Sequence, residues 1–322
     1  MLSTGAFLQA MIPLYFMTLI GFFSKRKRIL NKHANLVITQ MMLYITLPAL
    51  ILYSLNTNLT KELLTDFIWL IIMSIFVLSV SIFIGFLLRI RSRLPINQKS
   101  AYESLIIFGN QGFIGFAVSY ILLKEQGIIY LTIFNICYLI LIWTYGIYLF
   151  TKNKHGMNRR LLVLNPGILS TLIGLIILFL PFKLPLMILE TFESIGKMTI
   201  PLSMILIGSL LAEIDRKKLI DYSKNIYIWI AASWKLIILP LFLFVFLLFN
   251  VSYPLIVVAV LTAAMPSAPT TTVYAQKFGG DVSFASVGVI LSTLLCIITI
   301  PLLYTLLQLS YSFLKMLYLL ID

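Results

Sequence analysis

Apolar runs about as long as a lipid hydrocarbon core is thick follow one another along the whole of this chain. A helix crosses a core of about 30 Å with about 20 residues. Ten such runs are expected, roughly at 5–23, 35–56, 67–88, 101–123, 127–150, 166–181, 186–212, 225–249, 253–276 and 282–308. Lipid offers no partner to a free backbone N–H or C=O, so runs of this length are read as helices. The chain is 61% hydrophobic and 11% charged. Soluble domains carry about 45–50% apolar and about 25% charged residues, so a water-soluble fold is excluded. The expected fold is an all-α membrane protein of ten transmembrane helices, with the lipid bilayer as its first partner.

The net charge of +13 is distributed by connection. Lys25, Arg26, Lys27, Arg28 and Lys32 follow the first run, and Arg89, Arg91, Arg93 and Lys99 follow the third. The fifth connection has Lys152, Lys154, Arg159 and Arg160, the seventh has Arg216, Lys217, Lys218 and Lys224, and the ninth has Lys277. These are 18 cations, against five (Lys61, Lys124, Lys183, Lys197 and Lys315) in the alternate connections and the C-terminal end. Short loops rich in Lys and Arg stay cytoplasmic. Both termini are therefore expected outside a cell membrane crossed many times, and no nucleic-acid partner is expected. The charge cluster follows the first run instead of preceding it, so that run is expected to be retained and not cleaved as a signal peptide. Cys137 and Cys296 fall inside runs, and no Cys/His cluster is present, so no metal, disulfide or cofactor is expected.

A shift of 153 residues aligns Pro13 with Pro166, Gly21 with Gly174, Thr46 with Thr199, Pro48 with Pro201, and Gly127 with Gly280. Each half then holds five runs. An odd number starts the second half on the opposite side of the membrane, which makes an inverted repeat, an arrangement common among secondary transporters. The halves are taken as 1–161 and 162–322. The central stretch, about 151–165, is expected to be a basic loop and not a folded domain.

The same offset superposes two interruptions. The first is Phe108-Gly109-Asn110-Gln111-Gly112-Phe113-Ile114-Gly115, the second Ala264-Met265-Pro266-Ser267-Ala268-Pro269-Thr270-Thr271-Thr272. Breaks at corresponding places in two halves point to a transporter's substrate site. Glycines every three residues either loosen the helix or build a helix-packing face. Asn110 and Gln111, costly in lipid, favour a lined cavity. Pro266 and Pro269 remove two donors and crowd the carbonyls one turn earlier. The hydroxyls of Ser267, Thr270, Thr271 and Thr272 either meet a ligand or bond back to their own helix. A broken helix also presents free N–H groups and about half a positive charge at its inner N-terminus, suited to a carboxylate.

Lys235 lies about ten residues into its run, about 15 Å deep. An ionisable group at such depth is a functional candidate, either attracting an anion or sitting in a structural pair. Glu103 is a candidate for binding H⁺ or Na⁺, or an interfacial carboxylate. Asn135, Ser292 and Thr293 either face the breaks or join helices.

The first interruption resembles the first crossover of the auxin efflux carrier family, whose bacterial members include malate and malonate permeases. The second resembles that family's C-terminal region more closely. Met265-Pro266-Ser267-Ala268-Pro269 leads into Ala275-Gln276-Lys277-Phe278-Gly279-Gly280-Asp281, then Ala285-Ser286, Ser292-Thr293 and Ile300-Pro301-Leu302. The resemblance covers the whole chain. It implies a scaffold of the first, second, sixth and seventh spans and a six-span transport domain built around crossing fourth and ninth helices. Asn110 and the Pro266–Pro269 segment would then line the substrate site, with Gly112 and Gly115 as further candidates from the first interruption itself, and Pro48 and Pro201 match family prolines. Members often have a proline where this chain has Phe116-Ala117. The long cytoplasmic loop of plant auxin carriers is absent, which argues against a plant-type auxin role.

The expected function is transport of a small organic anion, a mono- or dicarboxylate such as malate or malonate, by alternating access. The alternative is a Na⁺- or H⁺-coupled symporter or antiporter of another solute. An intramembrane enzyme is the remote alternative, because His33 and His155 both lie in basic loops and no nucleophile–base pair is apparent. The apolar scaffold spans are compatible with a homodimer.

Overall fold

The computed structural model describes residues 3–58, 60–151, 166–180, 183–213 and 216–321. Lys152, Lys154, His155, Arg159 and Arg160 of the central connection, the junction between the halves at 161/162, and Pro181 lie outside the described residues. The helices are α1 (Thr4–Arg26), α2 (Lys32–Leu55), α3 (Lys61–Arg91), α4 (Ile96–Ile107), α5 (Gln111–Thr151) and α6 (Pro166–Phe179). They continue as α7 (Leu186–Ala212), α8 (Arg216–Ser223), α9 (Ile226–Leu248), α10 (Tyr253–Ala263), α11 (Thr270–Phe278) and α12 (Val282–Ile321).

Seven of these, α1, α2, α3, α5, α7, α9 and α12, are long and apolar enough to cross a membrane. The expected runs 101–123 and 127–150 meet at a sharp turn at Lys124, where φ is 54°, in the connection expected between them; α5 comprises the two helical segments on either side of that turn. The rest of the first run is α4, separated from α5 by the interruption. The run 253–276 is likewise divided into α10 and α11. Helix starts follow ordinary capping: the side-chain oxygens of Asn31 and Thr60 accept from the N–H of Ala34 and Leu63.

Two prolines leave a matching mark. Residues 42–46 of α2 and 234–238 of α9 form wide π-type turns, and Pro48 and Pro240 follow two residues after each. Proline offers no N–H to the carbonyl four residues back, and a locally widened turn absorbs the mismatch.

Helices α1 and α7 pack backbone against backbone. A Cβ on Gly21 would fall 2.0 Å from the Ile205 carbonyl oxygen, and one on Gly208 would fall 1.8 Å from that of Thr18. Only glycine permits that approach, the usual basis of helix association in lipid. The second half of α2 lies on α6 and the first half of α7, while α3 packs against α4 and α5. The Thr199 hydroxyl donates to that of Thr46 at 2.9 Å, joining α7 to α2. The two threonines are 153 residues apart, the offset at which the halves of the sequence align.

The described basic connections meet at one end of the bundle. Lys25 pairs with Glu213, linking the first and seventh. Asp281 accepts from Gln98 at 2.8 Å and Tyr222 at 3.0 Å, linking the third, seventh and ninth. At the opposite end the Lys183 ammonium bonds the Thr57 carbonyl, and the Leu184 N–H donates to Asn56.

Candidate functional site

The two interruptions meet. The N–H of Asn110 donates to the carbonyl of Pro266 at 2.6 Å, and the N–H of Ala268 to the carbonyl of Phe108 at 2.9 Å. Together they form an isolated antiparallel bridge between Gly109 and Ser267. The breaks therefore satisfy each other's freed backbone groups inside protein, as buried non-helical backbone requires. Further bonds tie the bridge to its surroundings. Tyr138 on α5 donates to the Gly109 carbonyl at 2.6 Å, and Ser267 Oγ to the Leu105 carbonyl at 2.7 Å. Ser292 Oγ on α12 accepts from the Ser267 N–H at 3.1 Å, and the hydroxyls of Ser104 and Thr271 lie 2.8 Å apart.

Asn110 caps the start of α5, its Oδ1 accepting from the Phe113 N–H at 3.3 Å. Its Nδ2 makes no hydrogen bond among the described residues, which leaves two amide protons for an acceptor. The first turn of α5, Gln111–Gly115, is π-type and has no proline to impose it. Gly112 looks onto open space, with no atom within 4 Å of the position of a Cβ, and Gly115 packs near Met265. Gln111 Oε1 and Thr270 Oγ1 are buried without hydrogen-bond partners. Pro266 supplies the accepting carbonyl, and Pro269 caps α11.

Lys235 is 3% exposed, and its Nζ donates to the Ile107 carbonyl at 3.3 Å, the last residue of α4. A Cβ on Gly109 would come within 3.0 Å of Lys235 Cε and Nζ. The ammonium thus sits at the negative end of α4, where a cation is favoured, directly beside the break. Among the described residues it pairs with no carboxylate.

Glu103 points elsewhere. Fully buried, it holds Arg89 Nε at 2.9 Å and accepts from the Tyr145 hydroxyl at 2.5 Å. Asn135 lies one turn before Tyr138 on α5, buried, with its Oδ1 unpartnered. Thr293 and Cys296 face a cleft of about 610 Å³ bounded by α1, α7 and α12, which reaches Ile114 beside the break and has Arg26 at the basic end.

Nothing in the local sequence marks Tyr138 or Ser104, since each acquires its partner only through tertiary packing, and the charge cluster that contains Arg89 does not point to Glu103. The three-residue glycine spacing and the proline pair were the usable signals.

A family model described as membrane transport protein matches residues 6–304. An uncharacterized transporter of Methanocaldococcus jannaschii is 23% identical over 299 residues, which cover 89% of this chain and 94% of that protein.

Proposed function

This chain belongs to the membrane transport protein family, the auxin efflux carriers, and we propose that it is a secondary transporter of small organic anions. The substrates in this reading are mono- or dicarboxylates of the malate and malonate kind, moved by alternating access. One observation carries it: a buried lysine, Lys235, which pairs with no carboxylate among the described residues, lies beside two interruptions that share their backbone hydrogen bonds. The Asn110 amide protons, the Lys235 ammonium and the helix start at Gln111 are all suited to a carboxylate. Gly112, Gly115, Ser267, Pro269, Thr270, Thr271, Ser292 and Asn135 complete the proposed lining.

We read α4 with the start of α5, and α10 with α11, as the two broken helices of an inverted repeat with halves 1–161 and 162–322. In this reading α1, α2, α6 and α7 form the scaffold and the remaining helices move against it. The close α1–α7 packing and the Thr46–Thr199 contact support that division. The cleft that reaches Ile114 is the proposed access route. Basic connections are assigned to the cytoplasm, with both termini outside.

Flux into proteoliposomes tests the site. Asn110→Ala, and joint replacement of Pro266 and Pro269 by alanine, are expected to abolish carboxylate uptake while the protein still inserts and purifies normally. Unchanged flux in these variants rejects the assignment. Coupling to H⁺ or Na⁺ through Glu103 predicts that an imposed ion gradient drives uptake and that Glu103→Gln removes this dependence.

A further inference from the structure

At the basic end of the molecule a cavity of about 460 Å³ is framed by the last turns of α3 and α5, the first turn of α4 and the corner after α11. Arg89, Lys99, Asn97 and Ser100 line it, and among the described residues no carboxylate does. Arg89 is held in position by Glu103 and by the Phe86 ring, 5.1 Å from the guanidinium carbon. The frame is held as well: Ser100 Oγ donates to the Leu149 carbonyl at 2.6 Å, and the Asp281 N–H to the Asn97 carbonyl at 3.0 Å. Arg89 is charge-balanced by Glu103, so Lys99 supplies the net positive potential that the low-dielectric walls focus into the cavity. The neighbouring lining residues Ile90 and Ile96 are apolar yet 56% and 77% exposed, so the cavity opens beside a greasy surface.

We infer that this cavity binds the phosphate of an anionic phospholipid headgroup. The phosphate lies between Arg89 and Lys99, and the glycerol and acyl chains run over Ile90 and Ile96. Arginine and lysine supply charge-assisted donors to phosphate oxygens, and basic pockets between membrane helices suit such headgroups. A soluble phosphate would use the cations but gain nothing from the exposed isoleucines. Arg89 also holds Glu103, whose neighbour Ser104 bonds Thr271 at the break, so a bound headgroup braces the frame that carries the bridge.

Native mass spectrometry of the purified full chain in neutral detergent tests this, with phosphatidylglycerol and phosphatidylcholine as probes. Phosphatidylglycerol is expected to be retained about fivefold more than phosphatidylcholine, and Lys99→Glu is expected to remove that preference. Lys32→Glu makes the same charge change at the same end but outside the cavity, and is expected to preserve it. Equal losses in the two variants, or none in Lys99→Glu, overturn the site. Glycerol 1-phosphate is added as a competitor: failure to displace the lipid supports a headgroup occupant, and full displacement at comparable concentration overturns it. If Lys99→Glu does not fold, Lys99→Gln is read in the same way.

Discussion

Gly109 and Lys235 carry the tightest constraint at the level of single residues. With a Cβ, residue 109 would press on the ammonium and its neighbouring carbon, and on the Met265 carbonyl oxygen at 3.2 Å. Gly109→Ala is therefore expected to lower carboxylate flux at least about tenfold with little effect on expression, since a site misplaced by about 1 Å can lose about a hundredfold. Lys235→Met keeps the length of the side chain but removes its charge. A lost charge-assisted hydrogen bond corresponds to about 1.5–3 kcal/mol, so substrate affinity should fall about tenfold or more in a thermal-shift titration. The burial of Lys235 was legible in the sequence, because it is the one cation far inside an apolar run. Its place was not: the Ile107 carbonyl is 128 residues away, and only the fold joins them. The same holds for Glu103, whose ion pair with Arg89 has no local signature.

Among the elements, α9 shows how a proline sets a side chain. Pro240 cannot donate to the Leu236 carbonyl, and the turn 234–238 that contains Lys235 is widened. Pro240→Ala restores the donor and lets the segment close into a regular helix, which re-aims Lys235. Uptake is expected to drop at least about fivefold while thermal stability holds or rises, measured by flux and by melting in detergent. In α7, Gly208→Val would drive a side chain into the Thr18 carbonyl. Overpacking of this kind costs about 1–3 kcal/mol, and the melting temperature should fall clearly. The interruptions themselves were readable, since Pro266 and Pro269 stand three positions apart and three glycines lie around Asn110. Their mutual pairing was not, because hydropathy reports where a helix fails and not what its backbone meets instead. The division of the chain at Lys124 falls in the connection expected between the runs 101–123 and 127–150, although the positive φ that makes the turn has no compositional signature.

For the whole molecule, charge was the most legible property. The contacts Lys25–Glu213, Gln98–Asp281 and Tyr222–Asp281 gather connections whose cations were already counted together in the sequence. A single cysteine at Lys32 or Lys217, in a background lacking Cys137 and Cys296, is expected to react with an impermeant maleimide only after permeabilisation. One at Lys183 is expected to react in intact cells. The reverse pattern would invert the proposed orientation. What the sequence did not convey is the cleft at α1, α7 and α12, because a groove arises from the mismatch between packed surfaces and belongs to no single run. The contact between Thr46 and Thr199 has a different bearing. In the proposed inverted repeat these two residues are counterparts, and a residue that meets its counterpart must bond to a copy of itself. A carboxylate would repel its image and an ammonium likewise, whereas a hydroxyl both gives and takes a proton. Threonine at both places is what self-recognition demands, and whichever half changes first must leave the other a partner it can still use.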